Sequence, residues 1–106
     1  MTSQTKLADG RWHTLTIAEQ LGNIGSEVGR TINSQKTNDD DRWQGSFRRA
    51  LELFDLTASD PRWSASRKKE ILRSREVFCD AVLNHRSDDE LQNYFMYFAL
   101  LARSGT

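Results

Sequence analysis

The sequence predicts an all-α protein, a four-helix bundle with helices at about residues 16–33, 42–57, 66–84 and 88–103. Three observations carry this reading. Apolar residues recur in long stretches at alternating three- and four-residue steps, the spacing that places them on one face of a helix turning about 100° per residue. Cap chemistry stands where helices would begin: Thr16 with Glu19, the Asp39–Asp41 run, and Ser87 with Glu90. One proline and no alternating run bounded by turn residues leave nothing from which to build a sheet.

The first helix carries two adjacent stripes. Ile17, Leu21, Ile24, Val28 and Ile32 form a packing seam, and Ala18, Gly22, Gly25 and Gly29 lie beside it. Each interior glycine costs roughly 0.8–1 kcal/mol relative to alanine, so the glycines are expected where a neighbouring backbone approaches closely. Gly25 and Gly29 make a GxxxG pair, but this motif marks membrane dimers only in a long apolar span. Glu19, Gln20, Asn23, Glu27 and Arg30 are assigned to the opposite face, so close packing inside one subunit is the expected use. Ahead of the helix, residues 1–11 read as a flexible polar tail, and Trp12 and Leu15 as anchors that pack back on the fold. Residues 12–106 then form a single domain.

Ser34 to Asp41 is turn and cap chemistry, with one aspartate expected as the N-cap of the second helix. Successive aspartates cannot all face one metal ion, so capping is favoured over a cation site. Trp43, Phe47, Ala50, Leu51 and Phe54 make the expected buried face of that helix. Asp60-Pro61 breaks the chain before the third helix, whose stripe is Ile71, Arg75, Phe78, Cys79 and Val82, with Leu72 and Leu83 on its shoulder. Arg75 sits among apolar residues and must reach water or a carboxylate, since an unpaired buried charge costs several kcal/mol. A buried ion pair between Arg75 and Glu27 is the expectation, with Glu76 and Asp80 as further candidates.

The last helix differs from the others. Leu91, Tyr94, Phe95, Phe98, Ala99 and Ala102 make one face, yet Met96, Tyr97 and Leu100 make its back nearly as apolar. A helix apolar all round is buried on more than one side, and its apolar run is too short to span a bilayer. With no fifth element to cover it, Met96, Tyr97 and Leu100 are the candidate contact of a homodimer.

A chain of 106 residues can bury a core without metal or disulfide support. Its 15 basic and 15 acidic residues balance, so the protein as a whole is not an electrostatic binder of nucleic acid or anionic membrane. The single cysteine, Cys79, excludes an internal disulfide, and no basic-then-apolar leader is apparent, which points to a reducing, cytoplasmic location.

No catalytic constellation emerges. Cys79 has only His13 and His85 as imidazole partners, neither at a spacing that forces contact, so a buried inert thiol is expected. The separation of Arg75 from His85 is too long for the Arg-x4-6-His element of helical HEPN-class nucleases. Catalysis by Arg75, Glu27 and His85 would need the three to converge in one open pocket. Glu-x-x-His is absent and the glycines lie inside a helix, so no metal or cofactor site is expected. The remaining signal is a basic segment, residues 62–75, in which Arg62, Trp63, Arg67, Lys68, Lys69 and Arg73 form a candidate contact for nucleic acid or an acidic protein. A solvated helix face is the simpler reading of the same residues.

The pattern from Trp12 through Leu15 and Ala18-Glu19-Gln20-Leu21-Gly22-Asn23-Ile24-Gly25-Ser26-Glu27-Val28 resembles a family of small uncharacterised helical proteins of bacteria and archaea. The segments Asp55 to Trp63 and Ile71 to Val77 look like its later motifs. In architecture the chain is similar to the four-helix-bundle proteins of ribosomal-RNA intervening sequences and to retroelement accessory proteins. That likeness implies an oligomer able to bind nucleic acid and assigns no site residue. The function expected is a non-enzymatic, self-associating interaction or scaffold protein, with a nucleic-acid-binding accessory as the alternative.

Overall fold

Thr16 starts the first helix by a reciprocal cap. Its hydroxyl accepts from the Glu19 amide at 3.0 Å, while the Glu19 carboxylate accepts from the Thr16 amide at 2.9 Å. The computed structural model describes residues 10–84 together with Asn93, Met96, Tyr97 and Leu100. These residues are all helix and connecting turns, with no strand among them. A single 3-10 turn, Trp12–Thr14, precedes α1 (Ile17–Lys36), α2 (Asp40–Ala58) and α3 (Ala65–Leu83).

Helix α1 runs past the expected end at Asn33 because its stop signal lies further on. Asn38 adopts the left-handed conformation at φ 59°, and the amides of Asn38 and Asp39 fold back onto the carbonyls of Gln35 and Ser34. This paired return satisfies the last carbonyls of the helix, and asparagine is one of the few residues that tolerates the conformation. Asp39 then caps α2 by accepting from the Arg42 amide at 3.2 Å, as expected for one of the three aspartates. One residue thus closes one helix and opens the next. Ser64 opens α3, its hydroxyl accepting from the Arg67 amide at 3.1 Å.

The core lies between the three helices. Leu21, Ile24, Val28 and Ile32 of α1 meet Ala50, Leu53 and Phe54 of α2 and Ile71, Phe78 and Val82 of α3, and Trp12 closes one end. Phe78 is fully buried, with ring centroids 5.5 Å from Phe47 and 5.9 Å from Phe54. Aromatic rings at such tilted separations add packing energy beyond area burial. Helix α1 packs most extensively on α2. On α2 the deeply buried leucine is Leu53, whereas Leu51 is only partly covered.

Several expectations change. Gln20, assigned to the solvent face of α1, is fully buried, and Thr31 and Ser34 continue a buried polar edge along the same helix. Ala18 is buried, but Gly22, Gly25 and Gly29 are only half-buried. On α3, Leu72, Val77 and Leu83 are exposed, so this helix turns a partly apolar face outward. The fourth helix, expected at residues 88–103, lies outside the described residues except at Asn93, Met96, Tyr97 and Leu100, which are helical and exposed. Residues 1–9 of the expected tail also lie outside them.

Candidate interaction surfaces and a buried polar hub

The residues expected to lead the basic segment are turned to another task. Asp60, fully buried at the end of α2, receives Arg62 through three donors: its backbone amide at 3.0 Å, Nε at 3.0 Å and a terminal nitrogen at 2.7 Å. The same guanidinium donates to the Leu15 carbonyl and stacks 4.4 Å from the Trp63 ring centroid. Trp63 donates its indole N–H to Gln20 Oε1 at 3.0 Å. Gln20 in turn donates to Asp60 Oδ2 at 3.1 Å and to the Trp12 carbonyl at 3.0 Å. Trp12 completes the hub by donating to the Thr57 hydroxyl at 3.0 Å.

This hub ties the N-terminal turn, α1, the end of α2 and the entry to α3 at one point. Arg62's side-chain hydrogen bonds hold the Asp60 carboxyl well below the usual carboxylate range; burial opposes the shift, while the Arg62 amide and Gln20 add to it. Gln20, Thr57 and Asp60 escaped the sequence reading because each is unremarkable alone. Their roles arise from contacts across forty or more positions. The one local signal was Asp60-Pro61-Arg62, an aspartate two residues before a donor, which suits a side-chain-capped turn.

Arg62 and Trp63 are therefore structural residues in this fold, and the candidate contact reduces to Arg67, Lys68, Lys69 and Arg73. None of these four makes an ion pair with a described residue. They do not form one stripe. Lys69 and Arg73 are exposed on the outer face of α3, while Arg67 and Lys68 are half-buried on its flanks. Glu70 and Glu76 stand among them, and a shallow depression runs along Lys69, Glu70, Leu72, Arg73 and Glu76.

The expected pair of Arg75 and Glu27 does not form. Arg75 reaches Asp55 on α2, with Nε 3.0 Å from Oδ1 and a terminal nitrogen 3.4 Å from Oδ2. Its Nε–H is not aligned on an acceptor, so the contact is more Coulombic than hydrogen-bonded. Glu27 instead binds Arg30 at 3.0 Å and Arg49 at 3.4 Å. The reason is register: Glu27 projects toward the α1–α2 side, where Arg49 and buried Ser46 stand. Glu27 and Arg75 thus serve different partners, and His85 lies outside the described residues.

Cys79 is a half-buried free thiol, and burial pushes its pKa up, against the partly opposing charge of Arg75. A protonated thiol is a poor nucleophile. Among the described residues no three His, Cys, Asp or Glu side chains cluster as a metal site would require. No helix among them is long and apolar enough to cross a membrane.

The candidate subunit contact is accessible. Met96, Tyr97 and Leu100 are 53%, 59% and 54% exposed, and with Asn93 they follow the spacing of one helix face. No protein-family model, curated protein or solved structure matches the chain.

Proposed function

We propose that this chain is a non-enzymatic interaction or scaffold protein of the cytoplasm, a four-helix bundle that self-associates as a homodimer through the last helix. The observation that carries the reading is the exposure of Met96, Tyr97 and Leu100, three large apolar side chains on one helix face without a charge among them. Apolar area left in water is stabilised by covering it, at about 25 cal/mol per Å². A second copy brings the same three uncharged side chains about a two-fold axis. The segment at 88–103 supplies the fourth helix, opened by Ser87 with Glu90. The experiment is a dilution series by light scattering on the native chain and on Met96→Ser/Leu100→Ser. The native chain is expected to remain dimeric to lower concentration than the variant, and equal behaviour would refute the proposal.

A second reading, binding of nucleic acid by Arg67, Lys68, Lys69 and Arg73, is favoured by the lack of an ion pair for any of the four among the described residues. It predicts binding of single-stranded RNA that weakens with salt and is lost in Lys68→Glu/Lys69→Glu. Binding unchanged in that variant would remove it.

A further inference from the structure

The buried hub closes around a peptide bond of unusual chemistry. Pro61 is the only proline of the chain, and it follows Asp60. An aspartyl-prolyl bond is the most acid-labile linkage of a polypeptide. The aspartate carboxylate is a nucleophile tethered beside its own backbone carbonyl, so the attack is intramolecular, and the proline nitrogen is a basic leaving group.

In this fold the nucleophile is occupied. Asp60 is fully buried; its Oδ1 accepts from the Arg62 amide and from Arg62 Nε, each at 3.0 Å. Its Oδ2 accepts from a terminal nitrogen of Arg62 at 2.7 Å and from Gln20 at 3.1 Å. The backbone is fixed on both sides as well. The Asp60 amide donates to the Thr57 carbonyl at 3.2 Å, and the Asp60 carbonyl accepts from the Trp63 amide at 3.3 Å. The carboxylate is thus held on the residue two positions ahead and is not free to turn onto its own carbonyl carbon. Arg62 keeps it ionised in mild acid, so position and not protonation restrains it. Pro61 lies at the surface, which leaves the restraint with the carboxylate. The Arg62 side chain is 39% exposed, so water competes for it and the clamp can open locally.

We infer that Asp60-Pro61 is a self-cleavage site of this chain, kept uncut by the hub and released when Arg62 and Gln20 let go of the carboxylate. A carboxylate oxygen then bonds to the Asp60 carbonyl carbon and the bond to the proline nitrogen breaks. The electron pair stays on that nitrogen, which takes a proton from the acidic solvent. The cyclic anhydride left at Asp60 takes up water and reopens to two carboxyl groups. The net change is hydrolysis, with no oxidant or reductant. The cut separates residues 1–60, which hold α1 and α2, from residues 61–106, which hold α3. This inference is independent of self-association through the last helix.

The test holds the full chain at about pH 4, near the unfolded carboxyl value, with and without denaturing urea. Mass spectrometry follows the two fragments. The unfolded chain should yield them, and the folded chain should yield them slower by about tenfold or more. Without urea, Arg62→Ala should be cut faster than the native chain, and Asp60→Asn in urea should not be cut at this bond. If circular dichroism shows Arg62→Ala to be unfolded, Arg62→Lys, which keeps the charge but loses the forked donors, carries the same expectation. A native chain cut as fast without urea as with it, or a folded Arg62 variant cut no faster than the native chain, would overturn the inference. So would the same fragments from Asp60→Asn, or an unfolded native chain that stays whole.

Discussion

Replacing Asp60 by asparagine keeps the side chain's size and removes its charge, which isolates what the buried hub contributes. Asp60 accepts from the Arg62 side chain, the Arg62 amide and Gln20 while fully buried. A hydrogen bond to a charged group contributes a net of about 1.5–3 kcal/mol in a buried setting. The Arg62 side chain is 39% exposed, so water screens its share and the contact counts for about 1 kcal/mol at most. Asparagine keeps one acceptor oxygen but turns an NH2 toward the donors, for a net loss of about 2–4 kcal/mol. The effect depends on pH with a defined sign. Asp60's folded pKa is depressed below its unfolded value near 3.9, so its stabilisation is complete above about pH 5 and is lost as pH falls toward the folded value. Urea unfolding followed by circular dichroism should therefore show a gap of about 2–4 kcal/mol between the native chain and Asp60→Asn at pH 7, narrower by about 1 kcal/mol at pH 3. A gap below about 0.5 kcal/mol, or one equal at the two pH values, would refute the account of the hub.

Other perturbations test neighbouring claims. Trp12→Ala should cost about 3–5 kcal/mol in the same assay, because the ring is fully buried at the end of the core, while Trp12→Phe should cost about 1 kcal/mol or more through the hydrogen bond to Thr57. A double-mutant cycle on Arg75 and Asp55 should return a coupling of about 0.2–1 kcal/mol, and the cycle on Arg75 and Glu27 none. Asn38→Val should destabilise by about 1–2 kcal/mol, since a β-branched residue cannot comfortably hold the left-handed end of α1; Asn38→Gly should be close to neutral.

What the sequence disclosed and what it hid divide along the range of the interactions. The cap of Thr16 with Glu19 and the seam of Leu21, Ile24, Val28 and Ile32 are set within a few residues, so spacing alone identified them. The end of α1 lies beyond the expected Asn33 because its stop is Asn38, one of several residues in a polar run that could each end a helix. Gln20 looked like a surface residue, since nothing near it in sequence announces that Asp60 and Trp63 will meet it from the far end of α2. The same distance hid the fate of Arg62 and Trp63. Basic and aromatic residues side by side suggested a nucleic-acid footprint, but the turn at Asp60-Pro61 folds both back into the hub. Its place in an apolar stripe tells that Arg75 needs a carboxylate, but the choice of Asp55 over Glu27 is set by helix register between α2 and α3, which periodicity within one helix does not fix.

The most direct test of the proposed function is the mass of the native chain by sedimentation equilibrium in about 1 M salt, where ionic contacts are screened and apolar contacts persist. The account predicts a particle of two 12.2 kDa chains. A single chain at every concentration would contradict it.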